Sequence, residues 1–335
     1  MHNILLLAII VAFNISNAQV SDFKTIDFTK ADNTAKINQG HSLENLPLLA
    51  YKLTHNLTTD VEKLRAIYTW VSTNIKGDSN QDEKVIRKRK KLQNDSIGYM
   101  KWNNQYKKIT FKKLLKHKKT ICTGYAYLMK ELCFTAHIQC KIINGYGRTV
   151  ASNIEALELA NHSWNAIKLN NKWYLCDATW SSGYMVSGAF FVRDYNDGYF
   201  LTEPLLFGRN HYPLEKKWFL NDTLIQSEFI AAPLIYGETF KHKIIPIYPE
   251  TLNTIIKKDD EISFRFKALN AVSEGNISLI QFYGVSAIPF KVYDLKNENG
   301  WISFKYRFKH KGFYDVHLKI GDDIVATYTI EVTKG

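Results

Sequence analysis

Apolar residues recur at three- and four-residue spacing from position 43: Leu46, Leu49, Leu53 and Leu57, then Val61, Leu64, Ile67, Tyr68, Val71 and Ile75. That period predicts two helices with one buried stripe each, separated at Thr58-Thr59-Asp60. Thr59 or Asp60 suits the N-cap of the second helix and Gly77 its stop. Phe111, Leu114 and Leu115 form a stripe on a short helix whose other face is lysine. Tyr125, Met129, Leu132 and Cys133 mark a further helix starting at or near Cys122 and ending around His137. Ile138, Cys140 and Ile142 then open an alternating strand. Residues 19–42 are polar and aperiodic, a loose lead-in.

Two more strands, 162–169 and 172–179, flank Asn170-Asn171. Asparagine tolerates the left-handed conformations of a two-residue hairpin turn. With those residues as the loop, paired positions sum to 341. His162 then faces Thr179 and Asp177 faces Trp164, which puts His162 and Asp177 on one face, about 5 to 7 Å apart at Cβ. A slip of one residue would separate them.

Beyond about position 236 the pattern shortens to alternating runs at 261–266, 277–283, 290–293, 301–308, 312–319 and 324–332, with turn signals such as Asn297-Glu-Asn-Gly300 between them. This predicts an all-β, immunoglobulin-like sandwich. The fold class expected is therefore α+β, a mixed domain over 43–235 followed by a β-sandwich over 236–335. A length of 335 residues allows each a core of its own.

Charge changes the picture in one place. Of a net +12, the stretch 84–119 carries fourteen Lys or Arg against one acid, Asp95, so the rest of the chain is close to neutral. It overlaps a basic segment over 79–110 that reads as an insertion. It reads either as a solvated surface or as an electrostatic footprint for an anionic surface polymer. With no nucleic-acid module beside it, nucleic acid is not expected. At the start, residues 4–13 are almost wholly apolar and Ser16-Asn-Ala18 suits a cleavage site. Residues 1–18 thus read as a signal peptide of a secreted, periplasmic or cell-surface protein. The run is too short for a transmembrane anchor. Four cysteines, Cys122, Cys133, Cys140 and Cys176, contain no C-x-x-C, so no metal or other cofactor is expected.

Three segments hold candidate chemistry: Lys119-Thr-Ile-Cys-Thr-Gly-Tyr-Ala126, Asn161-His-Ser-Trp-Asn165 and Trp173-Tyr-Leu-Cys-Asp-Ala-Thr-Trp180. A thiol at a helix N-terminus is favoured as thiolate, and the same N–H groups can stabilise an oxyanion. An imidazole in reach moves the thiol proton, and a carboxylate orients the ring. Cys122, His162 and Asp177 supply these types.

These words resemble the transglutaminase-like superfamily, and within it the kyphoscoliosis-peptidase-type branch. The helix Leu64-Arg-Ala-Ile-Tyr-Thr-Trp-Val71, and Tyr199-Phe-Leu-Thr202 with His211-Tyr-Pro213 and Trp218, are similar to that branch too. The resemblance covers about residues 45–220. It implies a papain-like fold with Cys122 as nucleophile, His162 as general base and acid, and Asp177 as orienting carboxylate. The family includes transglutaminases, peptide N-glycanases, peptidases and inactive members. Two departures stand out: Thr120 replaces a frequent glycine two positions before the cysteine, and Lys76-Gly-Asp78 replaces a frequent Tyr-Asp. For a second oxyanion donor, Trp102 is a candidate alongside a purely structural role. The expected function is acyl transfer on amide bonds of a protein or peptide substrate. A catalytically silent scaffold is the alternative.

Overall fold

The computed structural model describes residues 20–150, 156–186, 190–220 and 224–335. The signal-peptide reading falls on 1–18, outside the described residues.

The first layer is helical. α2 (Leu46–Thr54) and α3 (Asp60–Asn74) pack on α6 (Cys122–Thr135), and α1 (Thr29–Ile37) packs on α3. The α3 stripe read from the sequence is the buried one, with Leu64, Ile67, Tyr68 and Val71 sealed from solvent. A capping box starts it: Thr59 accepts from Glu62 N–H and the Glu62 carboxylate accepts from Thr59 N–H. The lead-in is not loose, since it folds into α1. Arg65 of α3 donates to both carboxylate oxygens of Asp32 in α1, at 2.7 and 3.1 Å, and its guanidinium lies over Phe28 and Phe200. An ion pair across 33 residues leaves no trace in local periodicity.

The basic insertion is also ordered. α3 runs into a two-residue strand β1 (Lys76–Gly77), then α4 (Ser79–Lys91) and α5 (Ser96–His117), and returns through β2 (Lys119–Thr120), which pairs with β1 in parallel. The sequence predicted only the last turns of α5, because upstream the helix carries too few apolar positions to show a stripe.

Four antiparallel strands form the second layer: β3 (Gln139–Gly147), β4 (His162–Leu169), β5 (Lys172–Cys176) and, after the hairpin β6 (Gly183–Val186) and β7 (Phe190–Arg193), β8 (His211–Pro213). Their order is β5-β4-β3-β8. The β4–β5 turn is the one expected. Asn170 and Asn171 take φ of 48° and 64°, and Leu169 pairs with Lys172 and Asn165 with Cys176. The pairing stops there rather than running on to Thr179, because the chain turns into α7 (Ala178–Ser182) with Asp177 as its N-cap.

β9 (Leu234–Ile235) begins the C-terminal region. One sheet runs β10-β12-β16-β15: β10 (Ile244–Tyr248), β12 (Glu261–Ala268), β16 (Trp301–Arg307) and β15 (Tyr293–Glu298). The other runs β11-β18-β17-β13-β14: β11 (Asn253–Lys257), β18 (Asp323–Thr333), β17 (Gly312–Ile320), β13 (Ile277–Tyr283) and β14 (Ser286–Pro289), with β9 on β18. Phe264, Phe266, Phe304, Leu318 and Tyr328 fill the space between them. Inner positions alternate along β12, as a sandwich requires. The run read at 290–293 falls largely between β14 and β15. The fold class is thus α+β, a mixed helix-and-sheet core followed by an all-β sandwich.

Candidate active site

α6 begins at Cys122. Its N-cap, Ile121, has no capping side chain, and the first bonds into the helix come from Gly124 and Tyr125 N–H to Ile121 C=O. No side-chain cap therefore occupies the first-turn N–H groups beside the thiol. Thr120, where the family often has glycine, fits because Gly124 faces it. A Cβ on Gly124 would come within 1.8 Å of Thr120 Oγ1. Cys122 is half-buried and the other three thiols are buried; all four are free.

Asn165 on β4 fastens the sheet to this helix. Its amide donates to Ala126 C=O at 3.0 Å. His162 opens the same strand, and its Nε2 lies 2.7 Å from Asp177 Oδ2. Trp180 stacks flat on the imidazole, 4.4 Å between ring centroids. This is possible because β3 has Gly147 beside both rings, where a Cβ would meet Trp180 at 2.8 Å and His162 Cβ at 3.0 Å.

Asp177 is fully buried, so its charge must be met by donors. Oδ1 accepts from Thr179 N–H at 2.7 Å and Trp180 N–H at 3.3 Å, and Oδ2 accepts from His162 and from His211 Nε2 at 3.2 Å. Tyr68 of α3 donates to its backbone carbonyl. His211, on β8, is the participant sequence reasoning missed. Its ring stacks on Phe207, 3.8 Å between centroids, and its Nδ1 lies 2.7 Å from the Asn210 side chain. The segment was noticed only as a resemblance, and nothing local marks it as meeting a carboxylate 34 residues earlier.

The electrostatics follow from burial opposed by pairing. Burial disfavours ionised Asp177, but His162 and then His211 outweigh it and hold the carboxyl far below its usual value. Burial likewise opposes charge on His162. The Asp177 charge and hydrogen bond, followed by Cys122, raise it to about 10. Burial pushes the Cys122 thiol up, whereas the His162 hydrogen bond and charge, then Arg89 and the Ser163 backbone, bring it below its ordinary value. His211 goes the other way: burial dominates the Asp177 contact and drops it to about 4. It is therefore a neutral donor to Asp177. The structure brings Cys122, His162 and Asp177 together. With Nε2 on the carboxylate, the other ring nitrogen is free to exchange a proton with the thiol.

His162, Asp177 and His211 are also of metal-ligating type and lie within 4.8 Å of one another. Their hydrogen bonds to one carboxylate oxygen account for that cluster without an ion. Trp102 sits inside the helical insertion, stacked on Tyr106 at 4.8 Å with Lys88 over its ring.

The site is thus a half-buried thiol beside a buried histidine–carboxylate pair, in a mixed helix-and-sheet core. Residues 48–178 match the family model of the transglutaminase-like superfamily, and this segment belongs to it. Within that superfamily the chain is similar to kyphoscoliosis peptidase of Homo sapiens, 29% identical over 210 residues, and of Mus musculus, 27% over 239 residues. These alignments cover 60% and 68% of this chain but only 27% and 31% of the relatives. Hillarin of Drosophila melanogaster is 23% identical over 233 residues, 65% of this chain and 26% of that protein. The chain thus spans about a quarter to a third of the length of these curated relatives.

Proposed function

We propose that the protein is an exported, cysteine-dependent acyl-transfer enzyme acting on amide bonds of a protein or peptide, as a peptidase or a transglutaminase-like enzyme. The observation that carries this is the buried His162–Asp177 contact of 2.7 Å, with the imidazole raised to about 10 beside a lowered thiol. Cys122 Sγ attacks the amide carbon, and the oxyanion is met by N–H groups of the first turn of α6. His162 passes its proton to the leaving nitrogen, the C–N bond breaks and a thioester remains. Water or a primary amine then attacks the thioester, gives up a proton to His162 and releases the sulfur. Peptidase and transferase differ only in that second nucleophile. The names of the kyphoscoliosis peptidases favour hydrolysis. The apolar run at 4–13 supports export.

A panel of glutamine-containing peptides, offered with and without a primary amine, tests this reading. Mass spectrometry would register cleavage, side-chain deamidation or amine incorporation. All products should vanish in Cys122→Ala. Iodoacetamide at pH 6 should label Cys122 far faster than Cys133, Cys140 and Cys176, and His162→Ala should slow that labelling about a hundredfold. Equal rates at all four thiols, with no turnover, would leave the scaffold reading. That second reading is favoured by the basic face of α4, where Lys84, Arg87, Lys88 and Lys91 line a cleft against Trp102 suited to an anionic polymer.

A further inference from the structure

The ladder between β3 and β4 stops at the pair Gly145–His162. Gly147 lies two residues beyond that last pair and is buried. A buried peptide group needs partners for its N–H and its C=O, and leaving either unmet is costly. The side chain of Asn161 takes the place of the strand that has ended. Gly147 N–H donates to Asn161 Oδ1 at 2.6 Å, and Asn161 Nδ2 donates to Gly147 C=O at 2.9 Å. The backbone N–H of Asn161 donates to Gly145 C=O at 3.0 Å. One residue thus makes three hydrogen bonds to the end of β3, immediately before His162.

Gly147 is also the residue around which the site is assembled. On one side it abuts His162 and Trp180, where a Cβ would come within 3.0 and 2.8 Å. On the other it pairs with His211 of β8. Both histidines that reach Asp177 Oδ2 are therefore next to this glycine. His162 is the first residue of β4, and strand ends are where a sheet frays. A frayed end would carry the imidazole away from a hydrogen bond of 2.7 Å, a contact that tolerates only a few tenths of an ångström. A primary amide offers one face with both a donor and an acceptor, as a peptide group does. Asparagine can therefore stand in for the missing backbone, whereas an ionised aspartate offers acceptors alone.

We propose that Asn161 is a positioning residue, a side-chain clamp on Gly147 that holds His162 between Asp177 and Cys122. It acts through the histidine and not on the substrate. The proposal rests on the acyl-transfer reading and adds a working part to the same site.

The pH dependence of iodoacetamide labelling at Cys122 separates positioning from support of the fold. In the unaltered protein the rate should rise with a midpoint well below the value of about 8.5 for an ordinary thiol. In Asn161→Ala that midpoint should move up by at least one unit, roughly a tenfold loss of rate at pH values below both midpoints. At about pH 9.5, where the thiol is ionised in either protein, the two rates should agree within threefold, because access to the sulfur is unchanged. Asn161→Leu, which keeps the volume but has neither donor nor acceptor, should behave as Asn161→Ala does. Labelling of the buried Cys133, Cys140 and Cys176 should stay slow in both variants. A midpoint unmoved in both variants overturns the proposal alone. So does fast labelling of the three buried thiols in both, which would make Asn161 a prop for the whole fold. A midpoint near 8.5 already in the unaltered protein overturns the acyl-transfer reading and the clamp with it.

Discussion

His211 shows how one side chain serves the site without touching the thiol. It donates to Asp177 through Nε2, and burial outweighs that contact and keeps the ring neutral down to about pH 4. The consequence for stability has a definite sign. Unfolded, the imidazole titrates near 6.5; folded, near 4. Between those values the unfolded chain binds more protons, so this contribution is complete above pH 6.5 and is lost as the pH falls toward 4. The full loss is on the order of 3 kcal/mol at 1.36 kcal/mol per unit. His162 has the opposite sign, stabilising below 6.5 and losing that effect as the pH rises through about 10. His211→Gln keeps an N–H donor for Asp177 and removes the titration. Its melting temperature should therefore fall less between pH 7 and 4.5 than that of the unaltered protein, with Cys122 labelling largely retained. His211→Phe, which keeps the stack on Phe207 but donates nothing, should lose labelling about tenfold. An unchanged acid slope in the glutamine variant would mean that His211 is not the neutral buried group described.

Elements set the geometry that these residues use. β3 carries Gly147 where Trp180 and His162 crowd in, and the absence of a side chain there permits the ring stack. Gly147→Ala introduces a Cβ within 2.8 Å of Trp180, so the imidazole must shift. We expect labelling of Cys122 to drop at least tenfold while circular dichroism and the melting transition stay close to the original. Unaltered labelling would place the ring elsewhere. Much of this was legible in sequence. The stripes of α3 and α6 are local periodicities, and the asparagine pair fixes the β4–β5 register within a few residues. What was not legible rests on distant partners or weak patterns. Asp32 finds Arg65 across 33 positions, and His211 finds Asp177 across 34. α4 and most of α5 are too polar to show an apolar face. β10 and β11 were passed over because they begin before the alternating runs become regular.

For the molecule as a whole, the decisive asymmetry is electrostatic. The stretch 84–119 carries fourteen Lys or Arg against one acid, and α4 and α5 hold most of it. On α4, Lys84, Arg87, Lys88 and Lys91 share one side and line a cleft against Trp102, so their role can be tested by substitution. None of the four outer cations is in the core, and among the described residues only Arg87 of the four is in an ion pair, with exposed Glu83. Replacing all four with serine should therefore cost little stability, since exposed pairs contribute about 0 to 1 kcal/mol. If the face binds an anionic polymer, four lost charges should weaken binding to heparin at low salt by at least tenfold. The difference should shrink as salt shortens the Debye length to about 8 Å near physiological ionic strength. Labelling of Cys122 by iodoacetamide should stay within twofold, because none of the four is among the partners that set the thiol. Heparin binding that survives the substitution would reduce the outer face to a solvated surface. A fall in labelling alongside it would mean that the outer face also acts on the thiol.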